Sequence, residues 1–273
     1  KNVIMYQHTS NPAVEAQLTP GRDLLWGDVM SKERPYAPIE WMDSEDPLFI
    51  LYTSGSTGRA KGLLHSTAGY LLGCSLTHKY VFGVSPDDIY FCAASFEWIS
   101  GHSYLIYGPL LNGVTTLVFE SIPTFPDAGR YWDICSRYKV NVFYTSPTAL
   151  RALMKFDNSY VTKYDLSSLR VLGSVGEPIN PAVWKWFYEV VGGSHVAITD
   201  TYWQTETGSH ILAPITGAIA TTPGSATLPF FGIDPVLVDV NGNEVLGNDV
   251  SGFLCIRKPF PSMARTIMGD HER

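Results

Sequence analysis

The run Thr53-Ser54-Gly55-Ser56-Thr57-Gly58-Arg59-Ala60-Lys61-Gly62 concentrates what a phosphate chain requires. Its glycines let backbone amides approach phosphate oxygens with no Cβ in the way. Its hydroxyls add donors, and Arg59 and Lys61 add positive charge. A polyphosphate cradle is the chemistry that these residue types at this spacing serve; taken alone, the segment also reads as a flexible Gly/Ser surface loop. It is not a Walker A element, in which GxxxxGK runs straight into Ser or Thr, because Gly62 follows Lys61.

Two further constellations follow strand-like runs. In Gly173-Ser174-Val175-Gly176-Glu177-Pro178, Gly176 and Pro178 fix a flat turn whose backbone can slide along a purine face. By itself this is also an ordinary strand-to-helix turn. Asp200-Thr201-Tyr202-Trp203-Gln204-Thr205-Glu206-Thr207-Gly208 places a carboxylate, Glu206, among hydroxyls. A lone glutamate of this kind reads as a solvated loop carboxylate, and Trp203 alone as a core aromatic.

The elements that must position these groups are α/β. Pro47–Tyr52 reads as a buried strand, the glycine loop comes next, and a helix over Thr67–Tyr80 puts a helix entrance beside that loop. Strands are predicted at 89–93, 115–119, 142–145, 169–173 and 197–199, with helices near 103–111, 127–138, 147–155 and 181–190. The last of these is entered through an Asn180 cap and Pro181. That alternation predicts a mostly parallel sheet flanked by helices, with ligands at the carboxyl ends of its strands. After about Pro223, short alternating segments punctuated by Gly, Pro and Asn241-Gly242 predict the start of a β-rich subdomain over 223–273. Residues 1–222 form the central α/β part, with one early strand candidate at Val3–Tyr6. Both ends read as cut from a longer chain.

Composition narrows the classes. With 273 residues, 45% hydrophobic and 16% charged, the chain is that of a folded globular protein. A formal charge of -7 without a basic cluster argues against nucleic acid, and no apolar run reaches the roughly 18 residues of a membrane span. Cys74, Cys92, Cys135 and Cys255 are far apart with no CxxC pair. They read as buried reduced thiols of a cytoplasmic protein, with neither a zinc site nor a disulfide framework.

YTSGSTGRAKG is similar to the signature loop of the adenylate-forming superfamily of acyl-CoA synthetases, luciferases and nonribosomal peptide adenylation domains. Within it the chain resembles the acetyl-CoA synthetases: DTYWQTETG is similar to their DTWWQTETG, with Tyr202 at the first tryptophan. SGHSYLIYGPLLNG, FPDAGRYWDI, YTSPTALRALM, DLSSLRVLGSVGEPINP, PGSATLPFFGIDP and GDHER extend the likeness over most of the chain from about Gly21. The resemblance implies the large N-terminal domain of the adenylate-forming fold, a fragment of an acetate–CoA ligase that uses ATP, magnesium and CoA. In it, Thr53, Ser54, Gly55, Ser56, Thr57, Gly58 and Lys61 hold polyphosphate, and Gly176, Glu177 and Pro178 lie beside adenine. Asp200, Thr201, Tyr202, Trp203, Gln204 and Thr205 complete the nucleotide site. Thr205, Glu206 and Lys61 are implied catalytic residues, with Thr205 donating to the α-phosphate and Glu206 as the magnesium ligand. Ile99, Ser100, Val175 and Trp203 are implied to line the acyl pocket, Trp203 closing it to all but acetate and propionate.

Two departures stand out. Arg59-Ala60 replaces the family's Lys-Pro, and Ala94-Ser95-Phe96-Glu97-Trp98 replaces Gly/Ala-Asp-Val-Gly-Trp, so that a carboxylate moves by two positions. The hinge and the small domain bearing the family's catalytic lysine are expected beyond Arg273, which would leave these residues inactive alone. A short-chain ligase preferring propionate, and an ATP-binding regulatory protein derived from a ligase, are the rival readings. Oligomeric state and a nuclear pool are left open.

Overall fold

The computed structural model describes residues 1–8, 17–54 and 59–272. The chain divides into two compact units, 1–42 and 43–273. In the first, β1 (Val3–Met5) pairs in parallel with β2 (Asp23–Leu25), which runs into the short helix α1 (Trp26–Met30).

The second unit opens with β3 (Pro47–Thr53), whose residues 47 and 49–53 pair antiparallel with β4 (Lys61–Ser66) in a register that sets Thr53 opposite Lys61. The strand predicted before the glycine loop is present but not buried. It is the outer strand of a three-stranded sheet, with Ile50 and Tyr52 exposed. The predicted helix entrance beside the loop is also corrected: β4 intervenes, and α2 (Thr67–Phe82) starts only after it. Gly62 and His65 interrupt the apolar run of β4, so the strand lacks a clear period of two. Its other edge is closed from far along the chain, where β12 (Thr266–Ile267) pairs with Leu64 and Leu63.

A five-stranded sheet follows, all parallel. It is built from β5 (Ile89–Cys92), β6 (Thr115–Leu117), β7 (Val142–Thr145), β8 (Val171–Ser174) and β9 (Ala197–Asp200) in the order β6-β5-β7-β8-β9. Helical residues 99–111, α3, contain a wider π turn over His102–Tyr107. Next come α4 (Arg130–Arg137), α5 (Pro147–Leu153), the short α6 (Ser159–Thr162) and α7 (Pro181–Trp186), which continues through a π turn at Phe187–Val191. The Asn180 cap read from sequence holds, Ala182 N–H donating to Asn180 Oδ1 at 2.8 Å, and α5 has a cap that was not singled out, Ala149 N–H donating to Ser146 Oγ at 3.2 Å.

Strand β7 explains why the sheet is two-faced. All four of its residues are buried, as expected for a central parallel strand covered on both sides. Phe143 points into a cluster with Trp132, Leu150, Leu172 and Phe187, beneath α4, α5 and α7. Val142 and Tyr144 point the other way, toward Phe82, Tyr104 and Val175, beneath α2 and α3. Strands β10 (Pro235–Val238) and β11 (Phe253–Ile256) form a separate antiparallel pair. Cys74, Cys92 and Cys135 are buried free thiols, but Cys255 on β11 is exposed, which corrects the uniform burial expected of the four.

Candidate functional site

The carboxyl ends of β8 and β9 lie side by side, with Ser174 in register with Asp200. From there the two chains diverge, and between them opens a cavity of about 410 Å³. Gly176, Glu177 and Pro178 line it on one side, Asp200, Thr201, Tyr202, Trp203 and Gln204 on the other, with Leu254 and Gly224 among the remaining walls. The two constellations singled out in sequence thus share one cavity. Leu212, Gly224, Ala226 and Leu254 were not singled out as lining residues; no local pattern marks them, since they arrive from separate loops and from β11.

The Gly176-Glu177-Pro178 turn is shaped by backbone and by an ion pair. Gly176 has φ +96°, open to glycine and strained for other residues, with no atom within 4 Å of where a Cβ would stand. The Glu177 carboxylate does not face outward alone. It accepts from Arg151 at 2.8 Å and from the Thr148 hydroxyl, both on α5. Burial alone would raise its pKa, but these donors more than offset that and hold it below the ordinary carboxylate value.

Asp200 is 7% exposed at the cavity wall. Burial raises its carboxyl to about 6, only partly countered by the Thr201 N–H. Beyond it the chain folds back on itself: Tyr202 N–H donates to Leu212 O at 2.9 Å, and the turn between them is closed by Thr207, whose Oγ1 accepts from Gln204 N–H at 2.9 Å. Gly208 follows with φ +71°, where a Cβ would lie 2.4 Å from Ser262 O. Thr205 and Glu206 occupy the apex of this turn, next to the cavity lining rather than in it. Thr205 O accepts from His65 Nε2 of β4 at 2.8 Å, and Glu206 O accepts from Ala264 N–H at 2.9 Å. The apex is therefore tied to the strand that begins at Lys61. The Glu206 carboxylate is exposed and makes no ion pair or hydrogen bond among the described residues.

The remaining predicted residues fall as follows. Thr53 ends β3 and Lys61 begins β4, paired with each other and both half-buried; Ser54 is exposed, and Gly55, Ser56, Thr57 and Gly58 lie outside the described residues. Ile99 and Val175 are buried, Ser100 is half-buried, and Trp203 packs against the clusters of both Ile99 and Val175. Trp203 thus borders the clusters of two other acyl-pocket candidates, Ile99 and Val175. Among the described residues no group of three or more His, Cys, Asp or Glu could hold a metal ion, and no helix is long and apolar enough to cross a membrane.

The chain is 54% identical over 253 residues to the chloroplastic/glyoxysomal acetyl-coenzyme A synthetase of Arabidopsis thaliana, covering 93% of this chain and 34% of the relative. It is 52% identical over 271 residues to the acetyl-coenzyme A synthetase of Cryptosporidium parvum, covering 99% of this chain and 39% of that protein. To acetyl-coenzyme A synthetase 1 of Candida albicans it is 55% identical over 274 residues, covering 100% of this chain and 40% of the relative. The chain thus spans well under half the length of these curated relatives. The AMP-binding enzyme family profile matches residues 4–267, most of the chain and both walls of the cavity: the chain belongs to the AMP-binding enzyme family.

Proposed function

We propose that this chain is the nucleotide- and acyl-binding part of an acetate–CoA ligase. In that reaction a carboxylate oxygen of acetate attacks the α-phosphorus of ATP, the bond to pyrophosphate breaks, and acetyl-AMP forms. The CoA thiolate then attacks the acetyl carbonyl and AMP leaves. The observation that carries the reading is the single cavity bringing Gly176–Pro178 and Asp200–Gln204 together, with Trp203 packed toward Ile99 and Val175. The names of the relatives agree with it.

In this reading adenine lies along the Gly176-Glu177-Pro178 turn, and the Thr53–Lys61 segment receives the polyphosphate. Thr205 donates to the α-phosphate as negative charge spreads over its oxygens, which need donors already in place. Glu206 fits magnesium, because an exposed carboxylate with no hydrogen bond or ion pair among the described residues gives a hard oxygen ligand and leaves room for the waters this ion keeps. When bound, the ion would supply positive charge to the phosphate oxygens. Trp203, Ile99, Ser100 and Val175 set a pocket for acetate; since one methylene changes binding by only ~1–3 kcal/mol, propionate is the next acid to be accepted. The three buried free thiols fit a reducing compartment, and we place the protein in the cytoplasm.

The test is product formation by the whole protein carrying this chain. Acetate, ATP, magnesium and CoA together are expected to give acetyl-CoA and AMP in equal amounts. Release of ADP and phosphate in their place would sink the reading.

A further inference from the structure

Behind Trp203 lies a buried polar chain that joins two of the motif segments, through Tyr144 and Thr201, to His210. Tyr144 on β7 is 0% exposed and His210 1%. His210 stacks on Tyr104 with ring centres 4.0 Å apart. Both rings meet the Trp203 indole at steep angles, with centres at 5.0 Å for Tyr104 and 5.7 Å for His210. The Tyr144 hydroxyl stands 3.0 Å from His210 Nε2 and 2.6 Å from Thr201 Oγ1. The Trp203 indole packs against the same cluster as Tyr144, and its Nε1 has no hydrogen-bond partner among the described residues. One phenol therefore joins the histidine that buttresses the acyl wall to a residue of the nucleotide cavity.

Counting protons gives this chain a direction. Thr201 Oγ1 donates to the Ser174 carbonyl at 2.8 Å, and a carbonyl can only accept. With its proton spent, the Thr201 oxygen receives from Tyr144. The Tyr144 proton is then spent as well, so its oxygen receives from His210 Nε2–H. His210 is thereby the Nε2–H tautomer, with a bare Nδ1 that has no hydrogen-bond partner among the described residues. Every ring in the chain has its orientation set by the next, ending on the backbone of β8.

We infer that Tyr144 is a positioning residue for carboxylate selection: through its one-way hydrogen-bond chain with His210 and Thr201 it fixes the plane of the Trp203 indole. This rests on the reading of Trp203 as the end wall of the acyl pocket. A wall held in one plane rejects an added methylene by contact. A wall free to tilt yields to it.

The test uses Tyr144→Phe in the whole protein carrying this chain, which keeps the ring and removes only the hydroxyl. The ratio of kcat/KM for acetate to that for propionate, read from pyrophosphate exchange, is expected to fall about threefold to tenfold, a fraction of the discrimination one methylene allows. An equal loss for both acids, with the ratio unchanged, would overturn the inference by marking Tyr144 as packing alone. Should that variant fail to fold, Thr201→Val breaks the same chain one link further on and is held to the same ratio. A second readout is independent of activity: nitrogen NMR of histidine-labelled protein, with the His210 signal identified by its loss in His210→Phe, is expected to show Nε2 protonated and Nδ1 bare at neutral pH. An Nδ1–H tautomer would contradict the hydrogen-bond chain itself. Absence of exchange with every acid would count against the ligase reading alone, and the NMR result would still decide the network.

Discussion

The guanidinium of Arg151, on the helix after β7, donates to the Glu177 carboxylate at 2.8 Å and so ties α5 to the turn after β8 that lines the cavity. Both side chains are more than a third exposed or close to it, at 41% and 34%, so the pair contributes at most about 1 kcal/mol to folding. Its larger effect is on the shape of the turn. Arg151→Met is expected to lower the melting temperature by only a few degrees while weakening AMP binding about threefold or more. Calorimetric titration and a thermal melt on one sample check this. The Glu177 pKa lies below its ordinary 4.5, so the contribution of the pair is complete above that pH and fades as pH falls through the lowered value.

Gly173 and Gly176 are three residues apart and differ in what they forbid. A Cβ on Gly173 would lie 2.4 Å from the Tyr144 ring, whereas one on Gly176 meets nothing but requires φ +96°. Gly173→Ala is expected to destabilise the fold by about 1–3 kcal/mol through overpacking. Gly176→Ala is expected to strain the turn by about 1 kcal/mol and act mainly on nucleotide affinity. Urea unfolding and AMP titration of both variants separate the two effects; equal stability losses would contradict the distinction.

Asp200 predicts a pH dependence of unusual sign. Its folded pKa of about 6 exceeds the ordinary 3.8, so between those values the folded chain holds a proton that the unfolded chain has released. Stability from this group is therefore present below about pH 4 and lost as pH rises through 6. Asp200→Asn is expected to remove that slope and to stabilise the protein at pH 7.5 by up to about 2 kcal/mol. Denaturation midpoints measured from pH 4 to 8 for both proteins test it, and identical slopes would refute the assignment.

Trp203 joins the clusters around Ile99 and Val175. In the whole protein, Trp203→Ala is expected to admit butyrate and hexanoate while acetate loses at least about tenfold in kcat/KM, since the freed volume leaves a two-carbon acid unheld. Retention of the acetate-only profile would place the end wall elsewhere.

How far the sequence was legible depended on whether the signal was local. The β-branched and aromatic VFYT of β7 marked a strand, and Asn180-Pro181 marked a helix entry, because both express nearest-neighbour physics. The β4 strand escaped because Gly62 and His65 break its pattern and its pairing to β12 comes from the far end of the chain. The family motifs placed Gly176–Pro178 and Asp200–Gln204 in one site by resemblance. Arg151, Tyr144 and Thr201 lie within segments that carry the resemblance, but the contacts they make, and His210 itself, carried no marking, since each contact joins residues that are distant in sequence.

The central claim is carboxylate activation, and the measurement that meets it most directly is carboxylate-dependent ATP/pyrophosphate exchange by the whole protein carrying this chain, with acetate, propionate, butyrate and hexanoate side by side. Exchange strongest with acetate, weaker with propionate and absent with hexanoate is the predicted result. Absence of exchange with every acid, in protein that still binds ATP, would contradict it and favour a nucleotide-binding regulatory role.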